Sequence, residues 1–279
     1  MMKLRKCSIC RAIGIMAVLV FIVIEMLKAQ TIQQRNQIIP LGIGSYRKET
    51  ASPFAAALMP AAGPFMPKKT IGLYAENRFM LRGLADLQGA MTIPIDAALF
   101  SVSGHYHGTR FFSTQSIATG MGIRLSNRLS TGIKIGSQWM RISAAPGITT
   151  ITADGGLMYA INERVLWGIH VRRGIATRKT AEKTGVYHEW IAGIGYTINK
   201  QLYLAYEIST ASGNQLRSTV GLEWKASDNI LFRGGINTPM SNFFFNAGRK
   251  GKHEMISVGF SSHAVLGYSG ALLMEYELE

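Results

Sequence analysis

Beyond its first thirty residues the chain alternates apolar with small or charged residues, segment after segment. It offers no later apolar run approaching the 18 or more residues that mark a membrane helix. A strict period of two is the signature of β-strands with two unlike faces. Ile117, Met121, Ile123 and Leu125 alternate with Ala118, Gly120, Gly122 and Arg124. Leu129, Ile133, Ile135 and Trp139 then face away from Ser130, Gly132, Lys134 and Gln138. The same pattern runs through Val165/Trp167/Ile169/Val171, Leu202/Leu204/Tyr206/Ile208, Val220/Leu222/Trp224, Ile256/Val258/Phe260 and Leu272/Met274/Tyr276/Leu278.

A soluble sandwich also alternates, but its outer face is freely polar. Here the second face is Gly, Ala, Ser and isolated charges, which suits the interior of a closed barrel whose apolar face meets lipid. Most segments run about 8–11 residues, close to the 9–11 that a tilted transmembrane strand needs. The expected fold is therefore all-β, a transmembrane antiparallel barrel of about fourteen strands, the first near 70–77 and the last near 270–278.

The breaks set the expected topology. Ser126-Asn127-Arg128, Asn162-Glu163, Asn199-Lys200 and Ser227-Asp228-Asn229 are tight polar turns. Longer connections are expected between them at Ile142–Gly147, Gly174–Gly185, Ser209–Asn214 and Thr238–Ser241. Short turns at one end and longer loops at the other are the pattern of outer-membrane barrels, and an even strand count puts both termini on the periplasmic side. Trp139 and Trp190 then fall at the loop ends of their strands, and Trp167 and Trp224 at the turn ends. All four lie on the apolar face, as interfacial aromatics would. Cross-strand arithmetic predicts lumen charge pairs. A hairpin centred near Ser212 sets Glu207 opposite Arg217, and one centred near Asp228 sets Glu223 opposite Arg233.

The start of the chain reads as an export signal. Lys3, Arg5, Lys6 and Arg11 precede the apolar run Ala12–Ile24, and Ala29 stands at the presumed cut. An uncleaved signal anchor is the alternative. The formal charge is +14; removing residues 1–29 takes away five basic residues and Glu25, which leaves about +10. Both cysteines, Cys7 and Cys10, leave with the signal, so the exported chain has neither a disulfide framework nor a cysteine-based zinc site. Residues 30–69 do not alternate. They are rich in small residues broken by proline, with Phe54, Leu58, Met59, Pro60 and Phe65 among them. Such a segment is expected to fold back as a barrel plug that lines a ligand path, rather than to form a solvated periplasmic tail. The barrel proper then covers residues 70–279.

Signals of chemistry are thin. His105 and His107 share a strand face, but no third metal ligand lies nearby in sequence. They read as a polar rim. His188-Glu189 and Ser261-Ser262-His263 do not make a triad by spacing alone. No catalytic residue, metal site or cofactor is assigned. Basic residues such as Lys68, Lys69, Arg172, Arg173 and Arg178 suit anionic lipopolysaccharide better than nucleic acid, which an exported barrel rarely meets.

The Gly-rich lead-in, Met59-Pro-Ala-Ala, the passage from Ile71 to Phe79 and the stretch His263-Ala-Val-Leu-Gly-Tyr268 resemble the FadL-type hydrophobic-compound transporters. That group includes the PorV and PorQ proteins of type IX secretion. Members commonly carry Asn-Pro-Ala in the plug; here Met59 stands in place of the Asn. The resemblance implies a fourteen-strand barrel with an N-terminal plug. Two functions follow as expectations. One is a plugged channel for hydrophobic or amphipathic small molecules without enzymatic activity, marked by an apolar pocket around Phe54, Leu58 and Phe65. The other is a component of a protein-secretion apparatus, working through long external loops.

Overall fold

A computed structural model describes residues 43–48, 52–65, 68–143, 145–178, 185–211, 216–238, 242–263 and 265–278. The expected export signal, residues 1–29, lies outside these. Fourteen antiparallel strands close into one barrel. They are β1 (Lys69–Asn77), β2 (Ala85–Ile95), β3 (Ala98–Gly108), β4 (Phe112–Arg124), β5 (Leu129–Ile142), β6 (Ala145–Ala160) and β7 (Val165–Arg178). There follow β8 (Gly185–Thr197), β9 (Leu202–Ala211), β10 (Arg217–Lys225), β11 (Ile230–Thr238), β12 (Asn242–Lys250), β13 (Glu254–His263) and β14 (Gly267–Leu278). Each strand pairs with its sequence neighbours, and β1 meets β14 in register from Lys69↔Leu278 to Asn77↔Gly270.

Burial is inverted relative to a soluble domain. On β5, Ile133 and Ile135 are each 59% exposed, while Ser130, Lys134 and Gln138 on the opposite face are buried. The alternation therefore turns its apolar face outward and its polar face into the lumen, as in a barrel surrounded by lipid. No helix of the described residues is long and apolar enough to cross a membrane.

Among the described residues the expected contrast between short turns and long loops is uneven. At the loop end β1 and β2 are joined by seven residues, 78–84, but other links there are short. Most of the expected loops Ser209–Asn214 and Thr238–Ser241 lies outside the described residues. The turns at 125–128, 161–164, 198–201 and 226–229 have four residues each. At the opposite end, β3 and β4 are joined by three residues, and β5 and β6 by two. Of the expected loops, Ile142–Gly147 and the part of Gly174–Gly185 up to Arg178 fall on described residues, while 144 and 179–184 lie outside them. In the fold β5 runs to Ile142 with a register shift after Met140, β6 starts at Ala145, and β7 continues to Arg178. Small and β-branched residues extend a strand wherever a partner supplies the hydrogen bonds.

Inside the wall lie residues 43–48 and 52–65. A 3-10 turn at Ile43–Ser45, helix α1 (Pro53–Leu58) and a second 3-10 turn at Pro60–Phe65 are built almost wholly of small residues and proline. Pro53 opens α1 with its fixed φ, three alanines continue it, and extended Met59 before Pro60 ends it. Residues 53–57 and 59–65 are buried. Lumen-facing glycines receive them. A Cβ on Gly132 would lie 2.6 Å from the Pro60 carbonyl carbon, and one on Gly72 2.6 Å from the Phe54 ring. Tyr46 sits against Gly168, Gly193 and Gly195.

The outward parity has a direct test. Ile135→Arg should destabilise the barrel by about 2–4 kcal/mol in lipid vesicles, the cost of an arginine at bilayer mid-depth. Asn127→Arg in a turn should stay within about 0.5 kcal/mol. Equilibrium urea unfolding checks both, and equal effects would contradict a lipid-facing β5.

Candidate functional site

Three ionic networks grow from the inward parity of the strands. In the first, the Tyr74 hydroxyl donates to Glu76 at 2.5 Å, and Arg78 bridges Glu76 (3.1 Å) and Asp86 (2.9 Å). His105 and His107 reach the two Asp86 oxygens at 2.9 and 3.3 Å. In the second, Asp154 is held by Lys134 (2.8 Å) and Arg172 (3.1 Å), and Arg172 also reaches Glu189 at 3.1 Å. Lys134 donates a further bond to the Ala57 carbonyl at 2.8 Å, which satisfies one of the last carbonyls of α1. The third lies on β9–β11. Glu223 takes Arg233 at 2.8 Å and Arg47 at 2.5 Å, while Tyr46 donates to Glu207 at 2.9 Å. Arg47 also stacks over Tyr203 at 5.0 Å.

Residues 43–48 and 52–65 are thus tied to the wall by side chains from many strands. Ser130 donates to the Ala61 carbonyl at 2.6 Å, and Arg124 to that of Pro64. At the turn end Lys48 meets Glu163 at 2.6 Å. Its ammonium holds the exposed Glu163 carboxyl below the usual range.

Pro60–Phe65 and Tyr46 occupy the turn-end half of the lumen, against Gly132 and Gly195. Towards the other end is a cavity of about 410 Å³. Its floor is Phe54, Ala57 and Leu58; Asp86, His105, His107, Lys134, Asp154, Arg172 and Glu189 line its walls with Gln88, Ser103, Thr114, Ser116 and Gln138. A second, largely apolar recess of about 840 Å³ faces outward between Leu73, Leu87, Trp139, Leu272 and Met274. The two share Gln88, Gly89, Gly104, His105 and Ser116. Gly89 and Gly104 pair with each other in the ladder, and a Cβ on either would meet nothing nearer than 3.7 Å.

The residues singled out in the sequence fall as follows. Phe54 and Leu58 line the luminal cavity. Met59 and Phe65 pack instead with Tyr46, Met158 and Leu166, and Pro60 sits over Gly122 and Gly132. Of the three residues expected to form an apolar pocket, Phe54 and Leu58 line the cavity while Phe65 packs at the turn end, and the wall above Phe54 mixes charged and apolar side chains. Glu223 faces Arg233 in the ladder and bonds it. Glu207 does not face Arg217: the register sets Glu207 against Thr219 and Arg217 against Ser209. The pairing of β9 with β10 is centred one residue later than Ser212, so every partner moves by two, and Glu207 turns to Tyr46. Trp139, Trp167 and Trp224 are 44%, 37% and 48% exposed on the outer face, and Trp190 is half-buried there.

The second network is absent from the sequence reading, yet the same arithmetic reaches it. Lys134↔Asp154, Asp154↔Arg172 and Arg172↔Glu189 are direct cross-strand partners. A hairpin centred at Glu163 pairs Asp154 with Arg172. His188 faces outward on β8, and His263 accepts from the Val265 and Leu266 amides on β13, so the serine and histidine stretches do not converge. Among the described residues no group of three His, Cys, Asp or Glu is placed to hold a metal.

No protein-family model matches the sequence, and no curated protein matches it. Solved structures do match its fold. The toluene transporter TbuX of Ralstonia pickettii aligns with a TM-score of 0.59 at 10% identity, over 83% of this chain and 95% of that one. The toluene transporter TodX of Pseudomonas putida gives 0.61 at 10% identity over the same shares, 83% and 95%. A FadL homologue of Pseudomonas aeruginosa gives 0.54 at 11% identity, over 82% and 95%. The closed fourteen-strand barrel is the architecture shared with these proteins.

Breaking the third network should be costly. Glu223→Ala leaves Arg233 and Arg47 without their carboxylate and should destabilise by about 3–5 kcal/mol, while Glu223→Leu with Arg233→Leu should recover part of the loss. Chemical unfolding of the single and double variants measures both.

Proposed function

We propose that the chain is an outer-membrane channel for small amphipathic molecules, exported by residues 1–29 and closed by residues 43–65 acting as a plug. The observation that carries this is the pairing of a filled turn-end lumen with a 410 Å³ cavity above α1. A cavity of that size suits a small ligand. The likeness in fold to the toluene transporters TbuX and TodX supports a transport role.

In this reading a ligand enters from the end opposite the termini and rests on Phe54 and Leu58. It leaves either past the plug or through the thin wall at Gly89 and Gly104, where the inner cavity and the outer recess share residues. No bond is broken on the way. Exposed Arg82, Arg110, Arg141 and Arg173 near that end would meet anionic lipopolysaccharide. An adaptor for protein secretion would need broad external loops, and the two- and three-residue links between β3 and β4 and between β5 and β6 give that reading no support.

Conductance in planar bilayers tests the closure. The full chain should pass little current, and a chain lacking residues 30–66 should pass a large ohmic current. Equal open currents from both would rule out the plug and leave a simple diffusion pore.

A further inference from the structure

We propose that the luminal cavity binds a molecule without net charge that carries several hydroxyl or amide groups beside one apolar face, in contrast to a free carboxylate or a plain hydrocarbon. The inference rests on the channel reading and narrows it to a class of ligand.

Charge balance is the first argument. The described lining contributes three permanent cations, Arg78, Lys134 and Arg172, and three carboxylates, Asp86, Asp154 and Glu189. Every one of these cations stands within 3.1 Å of one of these carboxylates. Arg78 has a further acidic neighbour in Glu76. An incoming carboxylate would find each cation already matched and would carry an unbalanced charge into a partly dehydrated space, which is costly. The balanced walls favour a neutral guest.

The hydrogen-bonding surface is the second argument. Ser103, Thr114, Ser116, Gln88 and Gln138 bring neutral donors and acceptors to the walls, beside the two histidines. A hydrocarbon filling the cavity would cover these groups without replacing their water, so polar groups of the ligand must meet them. The apolar side chains of the lining are Phe54, Ala57 and Leu58 at the floor, with Phe112, Ile117, Ala118 and Met140 set among the polar groups of the walls. An aromatic ring or short alkyl chain would lie on that floor while hydroxyls point to the walls. A phenyl glycoside has this chemistry.

The test uses the full chain in detergent and three probes that share a ring: 4-nitrophenyl β-D-glucopyranoside, 4-nitrobenzoate and toluene. Saturation-transfer NMR and calorimetry should show the glucoside bound at least about tenfold more tightly than the other two. Ser116→Trp, which fills the cavity from its wall, should abolish that binding. Ser103→Leu replaces it if the tryptophan variant fails to reach the folded, heat-modifiable form. Glu189→Gln removes one carboxylate and should shift the preference towards 4-nitrobenzoate by about tenfold.

Tighter binding of toluene or 4-nitrobenzoate by the unaltered chain would overturn the inference, and so would glucoside binding that survives the cavity-filling variant. Absence of binding for all three probes would overturn it as well. The channel reading falls separately, on equal conductance with and without residues 30–66.

Discussion

The hydrogen-bonded seam between β1 and β14 is the constraint on which everything else depends. In hydrocarbon each unpaired backbone amide or carbonyl is costly, so a sheet in a bilayer must have no edge. Nine consecutive partners, from Lys69↔Leu278 to Asn77↔Gly270, provide that closure. Once the ring is closed, parity along each strand decides which side chains face out and which are enclosed. Apolar residues then need no core, because lipid is their solvent. Polar residues face a confined lumen and must find each other.

That confinement explains the interior. Small inward residues such as Gly122, Gly132, Gly193 and Gly195 leave room for a segment of alanines and prolines to lie against the wall. Backbone carbonyls in short helical turns would otherwise be left unpaired, and Ser130, Lys134 and Arg124 reach across to Ala61, Ala57 and Pro64. Larger charged residues on the same parity cannot escape to solvent along the strand. They meet as cross-strand neighbours, which gives Lys134–Asp154–Arg172–Glu189 as a continuous row across four strands.

The wall was legible in the sequence because its signal is periodic. Ile133, Ile135 and Trp139 declare the outer face of β5 without help from any other segment. The register was legible where the turn has one clear centre: the Ser227–Asn229 turn sets Glu223 against Arg233, whereas Ser212, Gly213 and Asn214 offer several centres, and choosing the first leaves Glu207 two places from its true neighbour. One loop was misread because its residues carry no alternation. Ala145, Pro146 and Gly147 look like a break, yet they belong to the sixteen residues of β6, and Ala145 pairs with Ile142 across the register shift. The path of residues 43–65 could be expected to lie inside the barrel from its small side chains. Where each of its residues packs depends on contacts with strands more than a hundred positions away, as with Tyr46 and Glu207.

Likeness of fold therefore speaks unequally about the two faces of this barrel. Outward residues and backbone pairing are governed by the bilayer, which imposes the same demands on any chain that closes in it. About 10% identity to TbuX and TodX is enough to keep that wall. The inward parity is free of those demands and answers only to what occupies the lumen. A row of matched charges above Phe54 is expensive to maintain in a place where Leu or Val would pack without desolvation. The matched charges on β1 to β3 and on β5 to β8 answer to what the lumen encloses, and the chemistry of that lining, rather than the number of strands, is the property that separates one such barrel from another.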